Sequence, residues 1–196
     1  GRMSGRVDKH CVGYLPALRA GFTGYVVQAL VNDSASLLLL PFHAQYGIPL
    51  SHVPLLLTVS FRLQLLVECA SVFFIDRIGY RASALLAHGF SALGLILLAI
   101  LPQVLPSAFT GLLIAVFCYA LGGGLLEVII SPLVEACPSD RKAQTMNMLH
   151  SFYCWGSAGV VVLSTLFLAV FGRGSWRGLA LLWAILPLVN GLVFTK

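Results

Sequence analysis

This sequence predicts an all-α membrane protein, a bundle of six transmembrane helices, and three observations carry that prediction. The chain of 196 residues is 59 % hydrophobic and 10 % charged, whereas soluble domains carry about 25 % charged residues. Mean hydropathy is correspondingly high, at +0.93. The apolar residues come in long unbroken runs that match the roughly 20 residues a helix needs to cross a bilayer. They also lack the period-two alternation over roughly 10-residue segments that marks a membrane barrel. Lipid offers no hydrogen-bond partner, so such runs must satisfy their own backbone, and the helix does so within one segment.

The elements follow in order. A basic tail over 1–19 leads into a first span over 20–42, and "YGIPLSHVP" at 46–54 separates it from a second span over 53–75. The third span, 82–102, follows a short loop of about six residues around "DRIGYR". "PQVLPS" at 102–107 precedes the fourth span, 109–134, and "ACPSDRK" at 136–142 precedes the fifth, 144–171. "GRGSW" at 172–176 introduces the sixth, 177–195. Proline, glycine and serine in these connections end one helix and turn the chain into the next. The domain plan is therefore a tail over 1–19 and one bundle over 20–196.

Cations orient the bundle, because Lys and Arg in short loops stay on the cytoplasmic side. Arg2, Arg6, Lys9 and Arg19 in the tail, Arg77 and Arg81 after the second span, Arg141 and Lys142 after the fourth, and the terminal Lys196 all fall on one side. Arg173 and Arg177 fall on the other, and Arg62 lies inside a span. A multi-pass protein of the cell membrane with both termini cytoplasmic is expected, and the net charge of +5 is a topology signal with no pointer to nucleic acid. The first apolar run exceeds the 7–15 residues of a signal-peptide core and reads as a retained span. Cys11, Cys69, Cys118, Cys137 and Cys154 form no CxxC pair, and no metal site or disulfide is expected. "GGGLLE" at 122–127 lacks the Lys-Ser/Thr of a phosphate loop, and "GSAG" at 156–159 lacks the order of a nucleophile elbow. Both read as packing glycines, and no enzyme chemistry is expected.

Polar residues inside spans mark a pathway, since an unpaired charge at the bilayer centre costs at least about 2.5–3.5 kcal/mol. At 1.5 Å per residue, Asp33 lies about 21 Å from Arg19, and Arg62 lies about 21 Å from Asp76, one shared depth. Glu68, Glu127 and His150 each lie about 12 Å from the charged ends, a second layer. In the first span Gly21, Tyr25, Gln28, Asn32 and Ser36 recur at helical steps, and in the fourth Tyr119, Gly123, Glu127 and Ser131 do the same. The second span offers two faces, Ser60, Gln64 and Glu68 or Thr58 and Arg62, and the fifth offers Asn147, His150 or Ser151, and Cys154. The candidate substrate contacts are Gln28, Asn32, Asp33, Arg62, Glu127 and His150, with Asp33 and Arg62 expected as a buried pair or a joint clamp.

The stretch Asp76, Arg77, Gly79, Arg81 resembles the signature loop of the major facilitator superfamily, the large family of secondary transporters. It departs from that pattern at Val72, where a glycine is usual, and at Tyr80, where a basic residue is common. The segment 147–162 resembles fifth helices of permeases for sugars and other solutes, and it lacks the Gly-Pro signature of drug antiporters. The resemblance implies two six-helix halves, each of two inverted three-helix repeats, with substrate near the midplane between halves. This chain would be the N-terminal half. The resemblance also makes Asp76, Arg77, Gly79 and Arg81 a gating motif, with Arg77 and Arg81 expected to meet Glu135. Uptake of a small polar solute by alternating access is favoured over drug export. The expected partners are the bilayer, the solute and a second six-helix half, either beyond Lys196 or a second chain. No cofactor is expected beyond a possible coupling ion, H+ or Na+. The chain begins at Gly1 with no initiator Met and stops just after its sixth span, as an excerpt would. The competing class is a self-contained six-helix protein acting as a homo-oligomeric channel or scaffold.

Overall fold

The structure is a computed structural model and describes residues 9–137 and 141–195, so Arg2, Arg6 and Lys196 lie outside the described residues. Its long elements are α1 (Lys9–Leu37), α2 (Leu39–Tyr46), α3 (Val53–Ile78), α4 (Tyr80–Val104), α5 (Ala108–Ala136), α6 (Lys142–Phe171) and α7 (Trp176–Val193). Five are long and apolar enough to cross a membrane, and α1 with α2, bent by 43° at their break, adds a sixth if the pair crosses as one span. The fold is all-α and multi-pass. Helix α1 starts at Lys9, so residues 9–19 of the predicted tail already continue the first span as helix.

The bend replaces the continuous helix expected over 20–42. Pro41 has no N–H to give to the carbonyl of Leu37, and its ring crowds that carbonyl, so the helix breaks before it. Leu38 sits at the break with φ −92° and ψ 4°. The loop between the second and third spans also differs from expectation: Gly79 alone separates α3 from α4. Its φ of 89° is a conformation that side chains with a Cβ rarely adopt, and its N–H closes α3 by donating to Ile75 O at 2.7 Å. At the other end of α4, Ser107 caps α5 through its side-chain oxygen, which accepts from Thr110 N at 3.4 Å.

Helix pairing is uneven across the bundle. Besides the α4–α5 seam, the dominant contacts pair α1 with α6, α3 with α5 and α4 with α7. A two-fold exchange of the first three spans with the last three turns the first pair into the second and leaves the third unchanged, but it turns the extensive α4–α5 seam into the far sparser α1–α7 contact. Helix α5 is the hub, with 61 % of its apolar window buried, against 22 % for the second span and 11 % for α6. Three successive glycines make this possible, and between them they meet α4, α1 and α3. A Cβ on Gly122 would meet Ser91 and the Ala87 carbonyl of α4; on Gly123, Val31 of α1 and Gln64 of α3; on Gly124, the Gln64 backbone and Val67 of α3. The expectation that 122–124 are packing glycines holds. In the second glycine pair, Gly156 lies against Val26, with 3.1 Å left for a Cβ, whereas Gly159 meets nothing within 4 Å.

Candidate functional site

The polar residues of α1 divide between two faces. Gln28 is 2 % exposed and buried in the bundle, and its Oε1 has no hydrogen-bond partner. Asn32 and Asp33 are half-buried and open onto the face shared with α3 and α6. A hydrogen-bonded chain crosses this face. Gln64 Nε2 of α3 donates to Asn32 Oδ1 at 2.8 Å, and Asn32 Nδ2 donates to the Tyr153 hydroxyl of α6 at 3.0 Å. One residue along, Ser157 of α6 donates its hydroxyl to Asp33 Oδ2 at 2.6 Å. Ser60, one turn before Gln64, accepts a longer bond of 3.3 Å from the same Nε2.

This geometry settles the ambiguity of the second span. Ser60 and Gln64 point into the bundle and are buried. Arg62, two residues from Gln64 and therefore about 200° around the helix, is exposed on the other side. The expected Asp33–Arg62 pair is not formed. Matching depth brought the two residues to one level, but rotation of α3 turned the guanidinium away, and the carboxylate took a hydroxyl of α6 instead.

The lower layer converges. Glu127 of α5 interacts electrostatically with Glu68 of α3 and His150 of α6. The Tyr25 ring lies 5.7 Å from the His150 ring and 6.1 Å, edge to face, from Tyr153. Its hydroxyl shares a 2.6 Å hydrogen bond with Ser131 of α5. Glu127 and His150 are exposed on the same open face as Asn32 and Asp33. Residues from α1, α3, α5 and α6 thus form one wall with two polar levels, joined by Tyr25 and Tyr153. Such a wall can donate and accept hydrogen bonds across its whole height, with carboxylate, imidazole and amide groups in reach of one solute.

At the turn, Asp76 and Arg77 are exposed, and Arg81 does not meet Glu135 as expected. Arg81 Nε donates to Phe194 O, the C-cap residue of α7, at 2.8 Å. A cation on the final carbonyls of a helix complements the negative end of its dipole. The contact ties the start of α4 to the end of α7 beside a cavity of ≈ 940 Å³ lined by Pro16, Ala20, Arg81, Leu133 and Val193 among others.

Sequence reasoning missed Tyr153 and Ser157, although their spacing of four places them on one face of α6. It also missed a buried knot. His88 Nδ1 lies 2.7 Å from Ala84 O, and a carbonyl only accepts, so Nδ1 carries the proton. His88 Nε2 then accepts from Asn190 Nδ2 at 2.8 Å, and the second Asn190 hydrogen reaches Ala20 O at 3.1 Å. One asparagine of α7 therefore joins α4 to α1 with every donor matched.

No protein-family model matches the chain, and no curated protein matches its sequence. Solved structures do match in fold. One is a Glu-to-Gln mutant of the peptide transporter POT in complex with alafosfalin, with a TM-score of 0.75 at 16 % identity over 91 % of this chain. Another is the same mutant in complex with sulfate, with a TM-score of 0.69 at 18 % identity, again over 91 % of this chain. In both cases the chain spans 37 % of the transporter's length.

Proposed function

We propose that this chain is one six-helix half of a secondary transporter of the major facilitator type, which takes up a small polar solute by alternating access. The observation that carries this reading is the open polar wall, in which Asn32 and Asp33 of α1 are held by Gln64, Tyr153 and Ser157 from two other helices. Polar groups at membrane depth are costly, and they persist where they line a pathway or pair with one another. The likeness to part of a peptide transporter supports the same reading at the level of fold. So does the low burial of the second span and α6, which flank the wall and leave it for a second half to cover. Asn32, Asp33, Glu127 and His150 would contact the solute, with H+ or Na+ as the coupling ion. Asp76, Arg77, Gly79 and Arg81 would form the cytoplasmic gate, in a cell membrane and with both termini inside.

The test is uptake into proteoliposomes by the natural full-length protein, across a panel of sugars, organic ions and short peptides. Saturable uptake of one class is expected, lost in Asn32→Ala and Asp33→Asn while both variants still insert. Non-saturable flux that survives both changes would refute the reading and favour a homo-oligomeric channel.

A further inference from the structure

The face opposite the Gly79 turn carries a second built feature. Arg173 and Gly174, in the short turn before α7, and Arg177 in its first turn line a cavity of ≈ 280 Å³ together with Pro41, Ala44 and Gln45 of α2. The Trp176 indole N–H donates to Gln45 Oε1 at 2.6 Å, which fixes the orientation of the Gln45 amide group. Trp176 is itself fully buried, with its ring edge to face against Phe42 at 5.0 Å, so Gln45 is held on a rigid base. Arg177 lies over the same indole, with Cζ 5.7 Å from the ring centroid, and its Nε is buried with no hydrogen-bond partner. The side chains lining this cavity therefore offer mainly hydrogen-bond donors, with the Gln45 oxygen, already bound to the indole, as the one acceptor among them.

Three physical arguments make that arrangement unfavourable when empty. The Arg177 guanidinium, in the first turn of α7, lies at the positive end of the helix dipole. In the proposed orientation this is the non-cytoplasmic face, where cations are depleted from short loops, yet two sit here four residues apart. No Asp or Glu occurs in α2 or in the connections over 47–52, 105–107 and 172–175, so these segments supply no carboxylate to balance them. We propose that this cavity is a binding site for an oxyanion, a phosphate or carboxylate group, held by Arg173 and Arg177 with the Gln45 amide as a third donor. Planar guanidinium forks match such groups with paired, charge-assisted hydrogen bonds. The site is separate from the polar wall and does not depend on transport. Its anion is either free in solution or the headgroup of a surrounding lipid.

Two binding arms distinguish the sources. In a neutral detergent, inorganic phosphate is titrated against the thermal unfolding midpoint of the full-length protein. In nanodiscs of digalactosyl diacylglycerol, which carries no phosphate, the retention of added phosphatidylglycerol is measured. Arg173→Gln/Arg177→Gln is expected to weaken phosphate binding or lipid retention about tenfold, given the strength of hydrogen bonds to charged groups. An effect in the first arm assigns a free anion, and an effect in the second assigns a headgroup. Should the double variant fail to fold, Arg173→Gln alone, at an exposed position, and Gln45→Leu, which keeps both arginines, are each expected to weaken binding severalfold. Equal binding by the wild type and every folded variant in both arms would overturn the proposal.

Discussion

The seam between α4 and α5 and the seam between α1 and α6 join helices of similar length by opposite means. Along α4–α5 the backbones nearly touch. A Cβ on Gly94 would lie 2.5 Å from Tyr119 N, and one on Gly111 would lie 2.7 Å from the Leu101 carbonyl carbon. Along α1–α6 the contact is made by side chains: the Asn32–Tyr153 and Asp33–Ser157 hydrogen bonds, and the Phe22 and Phe152 rings at 4.6 Å. Membrane helices gain little from burying apolar surface, since lipid is as apolar as leucine, and associate through close packing and interhelical hydrogen bonds. The first seam relies on close backbone packing, and the second combines ring and Gly156–Val26 packing with polar bonds. A packed seam has one fit, whereas polar partners on an open face can be exchanged for those of a solute. The division assigns rigidity to α4–α5 and adaptability to α1–α6.

The largest expected effect breaks the packed seam. Gly122→Leu would drive a side chain into Ser91 and the Ala87 carbonyl, and backbone cannot yield as a flexible side chain can. A loss of about 3 kcal/mol or more is expected, read as the disappearance of monodisperse protein in detergent by size exclusion. A smaller effect is expected on the polar seam. Asn32→Leu removes two interhelical hydrogen bonds, worth about 0.6 kcal/mol each in membranes. Its unfolding midpoint should fall modestly while solute binding is lost. If Asn32→Leu destabilised as severely as Gly122→Leu, the two seams would not differ in kind. The smallest effect sharpens the comparison within α6 itself. Gly159→Ala meets open space and should stay within about 0.5 kcal/mol of the parent, while Gly156→Ala, against Val26, should fall measurably below it in the same unfolding experiment.

Several features of the wall were legible before any coordinates. The period of the first span put Asn32 on a polar face, and residue counting put Glu68, Glu127 and His150 at one depth, close enough that the charges of Glu68 and His150 act on Glu127. Gln28 belonged to the same counted stripe yet is buried. A stripe with steps of three and four drifts around a helix of 3.6 residues per turn, and its members need not share one exposure. His88 and Asn190 gave no signal, since a lone histidine and a lone asparagine in separate spans have no spacing to read.

The sequence alone determined the all-α membrane class of the protein, the apolar runs that become its long helices and the cation asymmetry from which an orientation is read. Those properties depend on how each segment partitions between water and lipid, and such partitioning is nearly additive along the chain. The tertiary structure decided the rest. Pro41 bends the first span, Gly79 alone makes the turn, Asp33 takes Ser157 in place of Arg62, and Arg81 takes the end of α7 in place of Glu135. Each of these outcomes depends on the rotation of one helix against another or on a single backbone torsion. A helix turns by about 100° per residue, so partners at one depth meet only if the packing of the whole bundle faces them toward each other.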